Sequence, residues 1–116
     1  MTTDPTISQA MDATIISLKL AVRDSAEKER EYRKLKAQKW VEARASEDVK
    51  QAKDREAWVD GQCADIRFKR DLADGMRSAL MEEVRNLRAQ MSYSQSLMRA
   101  DAEEKDMYMH GQSGQT

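Results

Sequence analysis

The sequence predicts an all-α fold, an elongated antiparallel helical hairpin of coiled-coil type that is completed by oligomerisation. Three observations point there. First, Ala52, Val59, Ile66, Ala73, Leu80 and Leu87 recur every seven residues, interleaved with Val49, Cys63, Val84, Met91 and Met98. Alternating steps of three and four are the seam of a helix that packs along much of its length. Second, charged residues make up 35% of the chain and aromatics 5%, with four glycines and one proline, a composition that favours helix and leaves no run suited to a strand. Third, the seam stretch from Ser46 to Ala102 would reach up to about 85 Å at 1.5 Å per residue. That is too long to bury inside a chain of 116 residues, so a second copy is expected to cover what a lone hairpin leaves exposed.

The expected organisation is one helical domain over 1–110, with helices over about 5–44 and 46–106 and a flexible polar tail over 111–116. Asp4 and Pro5 suit the start of the first helix, where a side-chain acceptor is useful and a missing N–H costs nothing. From there Ile7, Met11, Ile15, Leu18, Val22, Ala26, Tyr32, Leu35 and Trp40 fall mainly on one side. The charges of both signs across Glu27–Glu31 read as a solvated face with neighbouring-turn pairs.

Ala45–Asp48 is the expected break. Ser46 is a good N-cap, and Glu47 and Asp48 suit the positive end of a new helix. So short a connection makes the two helices antiparallel; the other reading is a kink in a continuing helix. In the second helix Asp60–Gly61 and Asp74–Gly75 repeat at a spacing of fourteen, two heptads. Gly75 reads as a tolerated interior glycine. At Gly61 the alternative is a short helix ending near Trp58, followed by a third.

Formal net charge is −1, so nothing overall drives the chain onto nucleic acid or an anionic membrane. The single cysteine, Cys63, excludes an intramolecular disulfide and reads as a small buried hydrophobe in a reducing compartment. Met76, Met91 and Met98 read as core filler. Residues 1–10 are polar, which predicts no secretory leader, and the apolar patch Ile15–Val22 is broken by Ser17 and Lys19, short of a membrane span. A soluble, cytoplasmic protein without membrane contact is the expectation.

No catalytic constellation, cofactor motif or metal-ligand spacing stands out. There is no phosphate-cradling glycine loop, HExxH, CxxC or nucleophile elbow. His110 has no partner at metal-ligand spacing. Glu82–Glu83 and Glu103–Glu104 are adjacent pairs that diverge on a helix, with no cleft to shift them. The chain is expected not to be an enzyme and to need no cofactor.

Two basic features could carry binding. Arg33, Lys36, Trp40 and Arg44, at offsets of 3, 7 and 11, share one helix face; cations beside an exposed indole could grip phosphates and stack a base. The bland alternative turns Trp40 into the core with lysines snorkelling around it. Arg67, Arg70, Arg77, Arg85 and Arg88 form a stripe beside the apolar seam, where arginine usually pairs with carboxylates of a neighbouring helix. The seam residues Ile66, Leu80, Val84, Leu87, Met91 and Met98 are the candidate oligomer contact.

Tyr32-Arg33-x-x-Lys36-Ala37 with Trp40, then Arg67 to Asp74, then Leu87-Arg88-Ala89-Gln90-Met91-Ser92-x-x-Gln95-Ser96-Leu97 resemble a group of small, all-helical tailed-phage proteins of unassigned role. The resemblance covers about Glu29 to Glu104 and supplies no active residues. It implies a phage early-region protein acting in the host cytoplasm near replication or recombination functions. Three functions compete. The first is an accessory factor, homo-oligomeric, that docks on a host or phage protein of replication, recombination or host defence. The others are a nucleic-acid-binding module using the basic and aromatic residues, and a virion assembly scaffold. Exposure discriminates: Trp40 and several arginines free on an outer face favour nucleic acid, whereas occupation by carboxylates favours the accessory factor.

Overall fold

The computed structural model describes residues 5–48 and 51–114, with side chains for 6–48 and 51–109. The regular structure among them is helical throughout: α1 (Pro5–Ala45), α2 (Ala52–Gln62) and α3 (Ala64–Gly114). The all-α class is as expected. Pro5 is the first residue of α1, the position where it forfeits no hydrogen bond; Asp4, its expected cap, lies outside the described residues.

α1 ends where the sequence places the break. The Ser46 N–H still donates to the Glu42 carbonyl at 3.0 Å, and the Ser46 hydroxyl accepts from the Asp48 N–H at 3.3 Å. Ser46 therefore shapes the turn and does not cap the next helix. That helix starts at Ala52, after Gln51 in extended conformation with no side-chain capping bond, and with acidic Asp54 in its first turn.

The single helix expected over 46–106 is two helices, α2 and α3, divided at Cys63. The division is slight. Cys63 sits at φ −98°, ψ 2°, yet its N–H donates to the Val59 carbonyl at 3.0 Å and its own carbonyl accepts from the Arg67 N–H at 2.9 Å. Because the ladder of i to i−4 bonds passes through, the seam keeps its phase. Neither glycine is the breaker: Gly61 lies within α2 and Gly75 within α3, neither with a positive φ. α3 then runs through Gly111, where a tail was expected, as far as Gly114. No proline stops it. Val49, Gln115 and Thr116 lie outside the described residues.

The chain divides into two compact units, Met1–Ile16 with Met81–Thr116, and Ser17–Leu80. In the second, Tyr32, Ala43, Val59 and Cys63 form the core, with Leu35, Trp40, Trp58 and Ile66 packed against it. Burying a valine such as Val59, 1% exposed, contributes about 1.5–3 kcal/mol. Here the helices are antiparallel: Lys39 meets Trp58, Tyr32 meets Arg70 and Glu29 meets Arg70, so numbers fall along α1 as they rise along α2 and α3. The inward positions of α1 are Ala21, Ser25, Lys28, Tyr32, Leu35 and Lys39; those of α2 and α3 are Val59, Cys63, Ile66, Arg70, Ala73, Arg77 and Leu80. Both series step by three and four, the coiled-coil register.

In the other unit Met11, Thr14 and Val84 are buried, with Ile7, Ile15, Leu87 and Met91 half-buried. Two sequence expectations fail across the chain for one reason. Val22 and Ala26, placed in the α1 stripe, are exposed, while Thr14 and Ala21 are buried. Met76, expected as core filler, is exposed. The packing follows a 3.5-residue period, and a strictly apolar stripe drifts off it wherever a seam position is polar.

Candidate functional site

The most elaborated polar cluster lies in the Ser17–Leu80 unit, and Arg70 is its centre. Arg70 occupies a seam position of α3, between Ile66 and Ala73, so its stem is drawn toward α1. Its guanidinium donates to Asp71 Oδ1 from Nε at 3.1 Å and from Nη2 at 2.8 Å. Across the helix pair it makes an ion pair with Glu29 at 3.6 Å and lies 4.2 Å from the centre of the buried Tyr32 ring. The Asp71 hydrogen bond, helped by the charges of Asp71 and Glu29 and opposed by desolvation, holds Arg70 above its ordinary pKa. It is a permanent cation.

One turn further, Arg77 donates to Asp74 Oδ1 at 3.2 Å from Nε and 2.7 Å from Nη2. These residues, with Val22, Ser25, Ala26 and Glu29 of α1, line an open groove of about 480 Å³. The groove holds charge that is already matched within it. Such an arrangement fixes how two helices meet; it leaves little field for a ligand anion.

The basic and aromatic face of α1 resolves in the same direction. Arg33 donates to Glu29 at 2.9 Å, Lys36 lies over the Tyr32 ring at 5.6 Å, and Arg44 lies over the Trp40 ring at 5.6 Å. Trp40 itself is half-buried and packs on the core cluster. It is thus not an exposed stacking platform. Of the α3 arginines in this unit, Arg70 and Arg77 are inward and paired with carboxylates; Arg67 is exposed and makes no ion pair among the described residues. In the other unit Arg85 pairs with Glu82 at 3.1 Å and Arg88 is exposed. The sequence placed the whole stripe beside the seam. Arg70 and Arg77 instead sit in it, a position that apolar periodicity cannot register.

The seam candidates divide similarly. Ile66 packs on the core cluster, Val84 is buried, and Leu80, Leu87 and Met91 are half-buried, all within the single chain. Met98, at 39% exposed, is the one that this chain leaves largely open. From there on the picture changes: residues 95–109 are all exposed although helical. Tyr93, Leu97 and Tyr108 are exposed at offsets of four and fifteen, which return to one face of α3. Asp101 and Glu104 lie beside the later part of that face. Sequence reading assigned Met98 to the seam and Glu103–Glu104 to a diverging pair and did not single out this face; Tyr93 and Leu97 carry the i, i+4 signal that could have shown it.

Among the described residues no three His, Cys, Asp or Glu side chains come together to hold a metal ion, and no helix is long and apolar enough to cross a membrane. No family model, curated protein or solved structure matches the chain.

Proposed function

We propose that this chain is a non-enzymatic accessory protein that captures a protein partner on exposed helix faces, foremost the Tyr93–Leu97–Tyr108 face of α3. One observation carries the reading: fifteen consecutive residues, 95–109, are helical with every side chain exposed. An isolated helix of that length is marginal in water, because nucleation is costly and no packing repays it. A segment that keeps an amphipathic helix with its apolar face in water fits helix-in-groove recognition, with anchors at Tyr93, Leu97 and Tyr108. The two carboxylates beside it, Asp101 and Glu104, fit a partner whose groove is rimmed by lysine or arginine. The phage setting suggested by Tyr32–Trp40 and Leu87–Leu97 belongs to the same proposal. It makes the partner a replication, recombination or host-defence component in the host cytoplasm.

The nucleic-acid module is less well supported, since Trp40 is packed on the core and Arg33, Arg70, Arg77 and Arg85 are matched by carboxylates. Affinity capture from host lysate, with and without nuclease, tests the reading. Capture is expected to survive nuclease and to be lost in Tyr93→Ala/Leu97→Asp. Capture that disappears with nuclease, together with oligonucleotide affinity near 10⁻⁸ M at about physiological salt, would establish the nucleic-acid module instead.

A further inference from the structure

The face of α2 and α3 that points away from the core carries an apolar pattern of its own. Phe68 and Leu72 are 66% and 60% exposed. Ala57, Gly61, Ala64, Gly75 and Ala79 continue the same face and are exposed as well. The series is symmetric about Phe68: Ala64 and Leu72 lie four residues away, Gly61 and Gly75 seven, Ala57 and Ala79 eleven. The irregularity at Cys63 does not disturb it, since Val59, Cys63 and Ile66 on the opposite side all reach one core cluster. A side chain at Gly61 or Gly75 would meet nothing within 4 Å in this chain. Nothing inside the molecule therefore requires glycine at either place, although each costs helix stability.

From this pattern we propose that the Phe68 face binds a second copy of this chain, antiparallel, with the two-fold axis passing beside Phe68. A two-fold contact sets residue 68+k of one copy against 68−k of the other, so only a face symmetric about its centre closes on itself. In that register Phe68 meets Phe68, Gly61 meets Gly75, Ala57 meets Ala79, and the large Leu72 meets the small Ala64. The glycines let two backbones approach, as they cannot where both partners carry a Cβ. Charge agrees with the same register. Antiparallel helices bring like flanks together, which sets Lys69 beside Asp65 of the other copy on one edge and Arg67 beside Asp71 on the other. Asp65, Arg67 and Lys69 are exposed and make no ion pair among the described residues. Its residues are other than Tyr93, Leu97 and Tyr108, and dimerisation and partner capture are read by different measurements, so the two proposals can fail separately.

Sedimentation of the full chain at tens of micromolar is expected to give a dimer, and Phe68→Glu a monomer of unchanged helix content. Gly61→Leu/Gly75→Leu is expected to melt no lower than wild type when dilute and still fail to dimerise. Cysteine pairing reads the register, since native Cys63 is buried. Gly61→Cys chains mixed with Gly75→Cys chains should form a mixed disulfide. Either variant alone should not, because its own copies would lie about 21 Å apart along the axis, against the roughly 7 Å that a disulfide spans. A wild-type monomer under these conditions, a Phe68→Glu dimer, or self-pairing of Gly61→Cys overturns the proposal.

Discussion

α3 is held in two ways along its length. Between Ile66 and Leu80 it presents alternating seam residues to α1, beside a cluster in which Val59 and Cys63 are almost wholly sealed from water. Over residues 95–109 it is just as helical and seals nothing. The backbone is the same, so helix content alone says little about where stability resides. In the first region tertiary burial fixes the helix. In the second, local propensity and neighbouring-turn ion pairs such as Lys105–Asp101 at 3.2 Å are what remain, each worth about 0.3–0.5 kcal/mol.

Four substitutions or deletions would break that contrast or sharpen it. Val59→Asp is expected to cost about 4 kcal/mol or more, since a carboxylate in that cluster has neither water nor partner. Thermal denaturation followed by circular dichroism should show the main transition lost; a melt near the wild-type temperature would mean that the cluster is not the stabilising centre. Ala43→Leu should cost roughly 1–3 kcal/mol by overpacking a residue with no exposed surface, measured by urea denaturation. Gly75→Ala should stabilise the dilute monomer by about 0.5–1 kcal/mol, because the added methyl meets open space. Ending the chain after Ser94 should change the main transition by less than about 0.5 kcal/mol. Hydrogen exchange supplies the finer view: amides near Tyr32 and Cys63 should be protected up to the global stability, and those of 95–109 should exchange through local opening.

Much of the fold was legible because apolar residues report their own positions. Ile66, Leu80, Val84, Leu87 and Met91 line the inner side of α3, and α1 spans nearly its expected length. What stayed hidden was the polar part of the seam. Thr14, Ser25, Lys28, Arg70 and Arg77 occupy inward positions without being hydrophobic, so the eye follows Val22 and Ala26 instead. The α2–α3 division was half legible: the sequence offered a short helix ending near Trp58 with Gly61 as the breaker, whereas Cys63 interrupts the helix by its backbone angles alone, and no proline or capping residue announces that place. The two candidate interaction faces were partly visible. Gly61 and Gly75 stood out at two heptads, but only the placement of Phe68 and Leu72 in water gave their spacing a meaning.

The Arg70 layer also bears on whether the two helices can slide. Arg70 and Arg77 are one heptad apart, each with an aspartate close by, so a seven-residue shift would set Arg77 in place of Arg70 over Tyr32 with small loss there. The cost falls elsewhere. The same shift would carry Arg70 into the place now held by Cys63, 2% exposed, where a guanidinium would lose its water. The pair therefore behaves as a ratchet with a single resting tooth, set near the turn and not at the charged layer. A pull along α1 would pass to α3 without slippage until that apolar tooth gives way.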